Sequence, residues 1–232
     1  MITQYSNTQL RNTQYRDLLP TVFSLGKPYF WGMASQVEKD VSNYVSKMID
    51  MSGNGNDVIQ GTQIYKPLWV DDELNGYPVL SFNGSQWLRV QYPTPLYQPI
   101  TVFAVWKVTT AGAYSFCFDN FSSTYFGLYG TNTSIAIQVG SGPVGYTKSV
   151  PFDFLLNTAV FNSASSSLYE NGVLKKTGAV VSSNLTGITL GNAFNFSAPF
   201  IGEIAEVLIY DAVLHADNRI SIETYLINKY GL

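Results

Sequence analysis

Short apolar runs separated by turn residues dominate the chain from about residue 79 onwards. The runs are rich in β-branched and aromatic residues, and each ends at Gly, Asn, Ser or Pro. This rhythm is typical of an antiparallel β-sandwich, whereas a parallel α/β sheet would need helical segments between its strands. The predicted strands are residues 79–82, 87–91, 101–108, 113–118, 125–129, 134–139, 157–162, 167–170, 173–177, 187–190 and 201–211.

The pair Asn171-Gly172 gives the clearest local signal. A two-residue type I′ turn requires positive φ at both central positions, and Asn and Gly tolerate that conformation better than other residues. The flanking strands 167–170 and 173–177 are therefore predicted to form a β-hairpin.

The hydrophobic pattern changes near the C-terminal end of the sequence. Residues 202–211 are apolar on both strand faces past their start, which predicts a central strand covered on two sides. Residues 217–229 then show helical spacing, with Asp217 early, Lys229 late and Gly231 just beyond. We expect one short C-terminal helix.

The composition is that of a globular β-protein without a strong charge bias. Of the 232 residues, 46% are hydrophobic and 12% are charged, which argues against a disordered chain. The formal net charge is −3, and the 13 Lys and Arg residues are scattered rather than gathered in a stripe. Binding to nucleic acid or to a membrane is therefore not expected.

Cysteine and histidine each occur once, which limits the available chemistry. Cys117 has no partner for an internal disulfide, and Cys117 and His215 together are too few for a zinc site. Cys117 lies in an alternating apolar run and is interpreted as a core residue. His215 directly precedes the predicted helix, so we expect it to cap free N–H groups rather than to serve in a Ser-His-Asp triad.

The N-terminal segment differs from the rest of the chain. Residues 1–26 lack strong periodicity and begin with many Gln, Asn and Thr residues, so we predict an arm or anchor preceding a domain at residues 27–232. The first residues also lack the basic start and apolar core of a secretory signal peptide. Synthesis in a cytosol without export through a signal peptide is the expectation.

A series of motifs appears along the chain in a recognisable order. The turn Asp-Met-Ser-Gly-Asn-Gly-Asn at residues 50–56 is the most specific, and it follows apolar segments at 29–31 and 45–49. The later motifs are Phe-Asn-Gly at 82–84, the strand at 100–107, the hairpin at 168–173, and the final strand and helix at 202–211 and 225–231. Together they resemble the laminin-G-like, concanavalin A-like family, particularly its variant in bacterial and bacteriophage surface proteins. The resemblance implies an all-β, antiparallel two-sheet jelly-roll sandwich with a short C-terminal helix.

Paired carboxylates would be needed if the chain were a glycoside hydrolase, as some concanavalin A-like proteins are. The alternating pattern Glu-x-Asp-x-Glu is absent. Glu203 and Glu206 are three residues apart, so an ideal strand would point them to opposite faces. Asp71 and Glu73 are predicted to lie in a loop. We therefore expect no enzymatic activity and no catalytic residues.

The turn at residues 50–56 carries oxygen ligands of the kind that calcium prefers. Asp50, Asn54 and Asn56 are the candidate ligands, and many laminin-G-like domains bind calcium. Asp and Asn also dominate tight turns for conformational reasons alone, so both interpretations stay open. No motif requires a cofactor.

Sugar binding would require exposed aromatic rings beside polar groups. Trp87 and Trp106 are predicted to be core residues. The candidates are aromatic residues in or next to polar, Gly- or Pro-rich segments: Tyr92, Tyr97, Phe121, Tyr125, Tyr146, Phe194 and Phe196.

These observations lead to a hypothesis of a non-enzymatic binding module on the surface of a bacteriophage particle, in a tail or head fibre or a decoration protein. The expected partners are a glycan or host-surface polysaccharide and other virion subunits, the latter through residues 1–26, and a homo-oligomer would fit this role. The alternatives are a purely structural virion protein and a glycoside hydrolase or depolymerase. The virion element depends on the family resemblance.

Overall fold

Sixteen β-strands followed by a C-terminal helix form the fold in the computed structural model, which describes residues 24–110 and 112–232. The strands are β1 Phe30–Lys39, β2 Val45–Asp50, β3 Val58–Ile59, β4 Leu68–Leu74, β5 Tyr77–Asn83, β6 Leu88–Tyr97, β7 Ile100–Thr110, β8 Ser115–Asn120, β9 Phe126–Gly130, β10 Ser134–Val139, β11 Gly142–Thr147, β12 Phe152–Phe161, β13 Ser166–Glu170, β14 Val173–Gly178, β15 Asn184–Leu190 and β16 Ile201–Tyr210. The helix is α1, Ala216–Tyr230. Short 3₁₀ turns lie at Gln63–Tyr65 and Ser163–Ser165.

The strands form one continuous antiparallel sheet, whose hydrogen-bonded path from strand to strand folds over so that its two halves face each other. Its order is β11-β10-β9-β8-β15-β6-β3-β2-β1-β16-β7-β12-β13-β14, with β5 added at β16 and β4 at β5. We call the strands from β11 to β3 the front half and the strands from β2 to β14, with β5 and β4, the back half. Apolar side chains from both halves meet in one buried core. The predicted jelly-roll sandwich is confirmed.

Trp106 of β7 anchors this core. Its side chain is fully buried, its indole N–H donates to Asn157 Oδ1 at 2.9 Å, and its ring contacts Phe152 and Phe200. A buried indole needs such an acceptor because an unpaired N–H in an apolar core is costly. Cys117 is also fully buried, which confirms its interpretation as a core residue.

The helix α1 covers the outer face of the back half. Ile222 and Leu226 pack there in a cluster with Phe103 of β7 and Leu208 of β16. His215 caps the helix by accepting from the Asp217 N–H at 3.4 Å, as predicted.

A buried polar cluster attaches the helix to the sheet. The Glu206 carboxylate accepts from Lys229 Nζ at 2.6 Å, from the Trp31 indole N–H at 2.6 Å and from the Tyr230 hydroxyl at 2.7 Å. Lys229 and Glu206 are almost completely buried. The carboxylate and the ammonium thus satisfy each other where water is excluded.

The Asn171-Gly172 hairpin is confirmed. Both residues have positive φ, 47° and 78°, and Glu170 pairs with Val173 across the turn. The turn therefore has the positive φ values that the sequence requires at its two central residues.

Two predictions about carboxylates are wrong. Asp71 and Glu73 lie in strand β4 rather than in a loop. In β16, the register against β7 shifts between Ile204 and Glu206, so Ala205 is an extra, bulged residue. The bulge restores Glu206 to the helix-covered face on which Glu203 also lies, so the two carboxylates do not point to opposite faces.

The predicted N-terminal arm falls mostly on residues that the structure does not describe. Residues 1–23 lie outside the described residues. The last part of the segment contacts the domain, because Asn218 Nδ2 donates to the Leu25 carbonyl at 2.9 Å. The boundary at residue 26 stays a prediction.

Candidate functional site

A group of exposed and half-buried side chains lies on the outer face of the front half. We call it the aromatic patch: Tyr65, Trp87, Arg89, Phe121 and Phe196. The half-buried Trp87 ring stacks on Tyr65 with a centroid distance of 6.2 Å and is tilted against Phe196 at 4.9 Å. The rings come from separate segments of the chain: a 3₁₀ turn, the approach to β6, the loop after β8 and the loop after β15. The fold therefore assembles a surface that no single segment contains.

Arg89 is the charged group of the patch. Its neighbours Leu88 and Val90 in β6 pack towards the core, so the alternation of the strand directs Arg89 outwards. The guanidinium carbon lies 3.8 Å from the Phe121 ring centroid, 5.4 Å from that of Phe196 and 5.7 Å from that of Trp87. Burial lowers the pKa of Arg89. Cation–π attraction to these rings holds the guanidinium in place.

The loop of residues 191–200 presents Phe196 to solvent. The loop closes through hydrogen bonds from the Gly191 N–H to the Cys117 carbonyl at 2.9 Å and from the Phe200 N–H to the Gly191 carbonyl at 3.2 Å. Phe196 itself has a φ of 61°, which is rare for a bulky residue, and the residue is 43% exposed. The loop therefore holds an aromatic ring in solvent at a conformational cost.

Asp119 of β8 fixes this loop to the sheet from below. Its Oδ1 accepts from the Phe126 N–H at 2.7 Å and its Oδ2 from the Phe194 N–H at 3.0 Å. Burial raises the pKa of Asp119 to about 7, although its backbone hydrogen bonds act in the opposite direction. One carboxylate thus connects two strands and the loop that carries Phe196.

Aromatic rings also support the loop from beneath. Tyr125 stacks on Phe116 with a centroid distance of 5.4 Å and an interplanar angle of 9°, and Phe194 meets Tyr125 edge-on at 5.3 Å. Phe116 is buried in a small cluster under the loop. These rings form a packed floor next to the aromatic patch.

The structure brings four of the seven predicted sugar-binding residues to this region. Phe121 and Phe196 belong to the aromatic patch, and Tyr125 and Phe194 lie in the floor beside it.

The other three lie elsewhere. Tyr92 is only 3% exposed in the core, so its selection as a contact residue is corrected. Tyr146 is partly buried, and its hydroxyl donates to Glu170 Oε2 at 2.7 Å.

Tyr97 is 67% exposed at a separate open groove of about 460 Å³. This groove is lined by Tyr29, Thr94, Pro95, Leu96, Tyr97, Gln98, Pro99 and Asp211.

Sequence reasoning missed Tyr65 and Arg89 and placed Trp87 in the core. Trp87 is half-buried and belongs to none of the core clusters among the described residues. The strand alternation in residues 87–90 could have indicated that both residues are on the outer face, because it places Trp87 and Arg89 opposite to Leu88 and Val90. An aromatic residue and an arginine on a solvent face are a typical recognition pair.

The side-chain oxygens of Asp50 and Asn54 already accept hydrogen bonds within the protein. Asp50 Oδ1 accepts from the N–H groups of Trp31 and Ser52, both at 3.0 Å, and its Oδ2 accepts from Ser52 Oγ at 2.8 Å and the Asn56 N–H at 3.0 Å. The side-chain oxygen Asn54 Oδ1 accepts from Lys27 Nζ at 2.8 Å, so an ammonium group already occupies that side. The Asp50 carboxylate therefore holds the turn together by accepting hydrogen bonds from N–H and O–H groups. A calcium ion would instead need oxygen atoms that are free to coordinate it.

The carboxylates of β16 are engaged in ion pairs. Glu203 pairs with Lys107 at 2.7 Å, and Glu206 pairs with Lys229 beneath α1. Within residues 24–110 and 112–232, no group of three or more His, Cys, Asp or Glu side chains is arranged to hold a metal ion. In the same part of the chain, no helix is long and apolar enough to span a membrane.

Comparison with solved structures shows the same fold in carbohydrate-active enzymes and toxins. Domain 4 of AbnA, a GH43 extracellular arabinanase from Geobacillus stearothermophilus solved with arabinotriose, is 18% identical with a TM-score of 0.62, over 85% of this chain and 98% of that domain. A GH54 α-L-arabinofuranosidase is 14% identical with a TM-score of 0.64, over 81% of this chain and 51% of its own.

The ligand binding domain of botulinum neurotoxin serotype D, solved with N-acetylneuraminic acid, is 14% identical with a TM-score of 0.63. That match covers 89% of this chain and 53% of the binding-domain chain, so this chain spans about half the length of the neurotoxin binding domain and of the arabinofuranosidase.

Sequence comparison identifies the family. No curated protein sequence gives a significant match. A laminin-G-type family model, described as the concanavalin A-like lectin/glucanases superfamily, matches residues 82–218, which is more than half of the chain. The chain therefore belongs to the concanavalin A-like lectin/glucanases superfamily.

Proposed function

We propose that this protein is a non-catalytic carbohydrate-binding domain and that the aromatic patch binds the glycan. The observation that carries the proposal is the placement of Tyr65, Trp87 and Phe196 side by side on an outer sheet face, with the Arg89 guanidinium within 6 Å of the Trp87 and Phe196 ring centroids. Sugar rings pack their C–H faces on aromatic rings, while nearby donors orient their hydroxyl groups.

The backbone of Phe196 supports this assignment. A bulky residue in the left-handed region costs free energy, and such conformations concentrate at functional sites. The loop around it is fixed to the sheet through Asp119, so Phe196 is presented by a rigid frame. A pre-positioned ring loses little conformational entropy when a ligand binds.

The state of the carboxylates supports the absence of catalysis. A glycoside hydrolase needs one carboxyl group as acid and another as nucleophile or base, on either side of the scissile bond. Glu203 and Glu206 lie on the helix-covered face, away from the patch, and each already has a lysine partner. Release of reducing sugar by the purified protein, abolished by Glu203→Gln, would contradict the proposal.

The neighbouring folds agree with a sugar ligand. The arabinanase domain was solved with arabinotriose and the neurotoxin domain with N-acetylneuraminic acid. Both are ligand-bound examples of the sandwich, and they give glycans as the first class of compound to test.

We further propose that the domain acts on the surface of a bacteriophage particle, where it recognises a host-surface glycan and residues 1–26 connect it to other virion subunits. The resemblance to bacteriophage surface proteins and the polar composition of that segment support this role. Deletion of residues 1–26 should abolish incorporation into particles while the glycan affinity of the purified domain is unchanged. Normal incorporation of the shortened chain would refute the anchor.

A glycan array followed by titration calorimetry tests the binding site. We expect Trp87→Ala to weaken binding of the best glycan by about tenfold or more, because the central ring of the patch is lost. Tyr97→Ala is the matched control, since it removes an exposed tyrosine from the separate groove. Equal affinities for the wild type and Trp87→Ala, or a loss confined to Tyr97→Ala, would place the site elsewhere.

A further inference from the structure

Arg89 differs from the other arginine of the described domain in its charge environment. Arg219 donates to both oxygens of Glu223, at 2.6 and 2.7 Å. Arg89 has no carboxylate within ion-pair distance among the residues that the structure describes, and its one hydrogen bond is a long contact of 3.5 Å to the Phe121 carbonyl. A partly buried charge without a counter-charge is costly, because burial removes water and supplies no anion in exchange.

The geometry around Arg89 leaves its hydrogen-bonding capacity largely unused. The guanidinium is planar and has five N–H donors, which match the two oxygens of a carboxylate. Phe121 covers the guanidinium at 3.8 Å, and the Trp87 and Phe196 rings lie within 6 Å. The rings thus fix the cation and lower its contact with water, and both effects strengthen a charge-assisted hydrogen bond to a ligand.

We propose that the glycan bound by the aromatic patch is an acidic sugar, whose carboxylate pairs with the Arg89 guanidinium while its ring packs against Trp87 and Phe196. This inference rests on the proposed function of the patch. The recognised chemistry is a carboxylate attached to a pyranose, as in uronic and sialic acids. It does not depend on the overall charge of the protein, which is negative at −3.

The experiment compares an acidic glycan with its neutral counterpart in titration calorimetry. The probes are trigalacturonic acid and its fully methyl-esterified form, and 3′-sialyllactose and lactose. We expect the wild type to bind at least one acid about tenfold or more tightly than the neutral partner, and this preference to decrease as salt is raised. Arg89→Gln should abolish the preference.

Two further variants distinguish a paired hydrogen bond between the Arg89 guanidinium and the ligand carboxylate from a general effect of positive charge. Arg89→Lys keeps the charge but not the planar pair of donors, so it should lose most of the preference. Lys176→Gln removes an exposed charge from β14 and should change nothing. Thermal unfolding of each variant shows whether the domain is still folded.

Failure of this inference differs from failure of the proposed function. If the neutral and acidic glycans bind equally and Arg89→Gln has no effect, the acidic-sugar inference is wrong, and a loss on Trp87→Ala would still support the patch. If the folded wild type binds neither class of glycan, the proposed function is wrong and this inference falls with it.

Discussion

Asp119 should make the stability of this protein decrease as the pH rises towards neutrality. Burial raises its pKa from an ordinary value of 3.8 to about 7 in the folded state. Between these two values the folded state binds more protons than the unfolded state, so the free energy of unfolding falls with increasing pH. The contribution is fully present below about pH 4 and is lost as the pH passes through 7. Between about pH 4 and pH 7, a pKa shift of this size lowers the free energy of unfolding by about 4 kcal/mol.

The substitution Asp119→Asn removes this titration and isolates its contribution. Asparagine still accepts one of the two N–H groups but presents its own NH₂ to the other, which adds a cost that does not depend on pH. Urea unfolding of both proteins, followed by tryptophan fluorescence from pH 4.5 to 8, gives the difference in unfolding free energy. The advantage of the wild type should shrink with rising pH. A constant difference, or an advantage that grows with pH, would refute the reasoning.

Three other outcomes follow from the packing. Lys229→Met should lower the free energy of unfolding by about 3–5 kcal/mol, because it leaves the Glu206 carboxylate buried without its cation; urea unfolding measures this, and a loss below 1 kcal/mol would contradict it. Gly191→Ala should lower the free energy of unfolding by about 2–4 kcal/mol, because the φ of Gly191 is 82° and the added Cβ would lie 2.3 Å from the Phe82 ring. An unchanged melting temperature would argue against that crowding. Calcium or a chelator should leave the melting temperature unchanged, because the Asp50 oxygens already accept internal hydrogen bonds; a clear rise with calcium would show a metal site there.

The fold was predictable from the sequence because its signals are local. The Asn171-Gly172 turn, the period change before α1 and the apolar run of β16 each depend on neighbouring residues alone, and each was correct. β4 was missed because it is an outer strand with three acidic residues and little buried surface. The bulge at Ala205 was missed because it depends on how β16 pairs with β7, which is far away in the sequence.

The candidate site was only partly predictable because it is assembled from distant segments. Phe121 and Phe196 were selected for their polar surroundings, but the same criterion also selected Tyr92, which is buried in the core. Trp87 was assigned to the core, and nothing near it in the sequence reveals that Tyr65 and Phe196 pack beside it. The alternation of residues 87–90 directs Arg89 to the outer face, but only the structure shows that the rings of Phe121 and Phe196 lie around it.

The ends of the hydrogen-bonded path limit how this domain can meet a partner. β11 and β14 lie beside each other, and a Cβ added at Gly178 of β14 would approach Val144 of β11 to 2.9 Å. The outer strand β4 carries Asp72 with a φ of 59° inside an irregular register, and such charged, irregular edges resist strand addition. A peptide that binds by adding a strand to a sheet does so through main-chain hydrogen bonds at an open edge. The edges of the described sheet are therefore poor places for a peptide strand to add, and the proposed glycan would instead meet side chains on a sheet face and its loops.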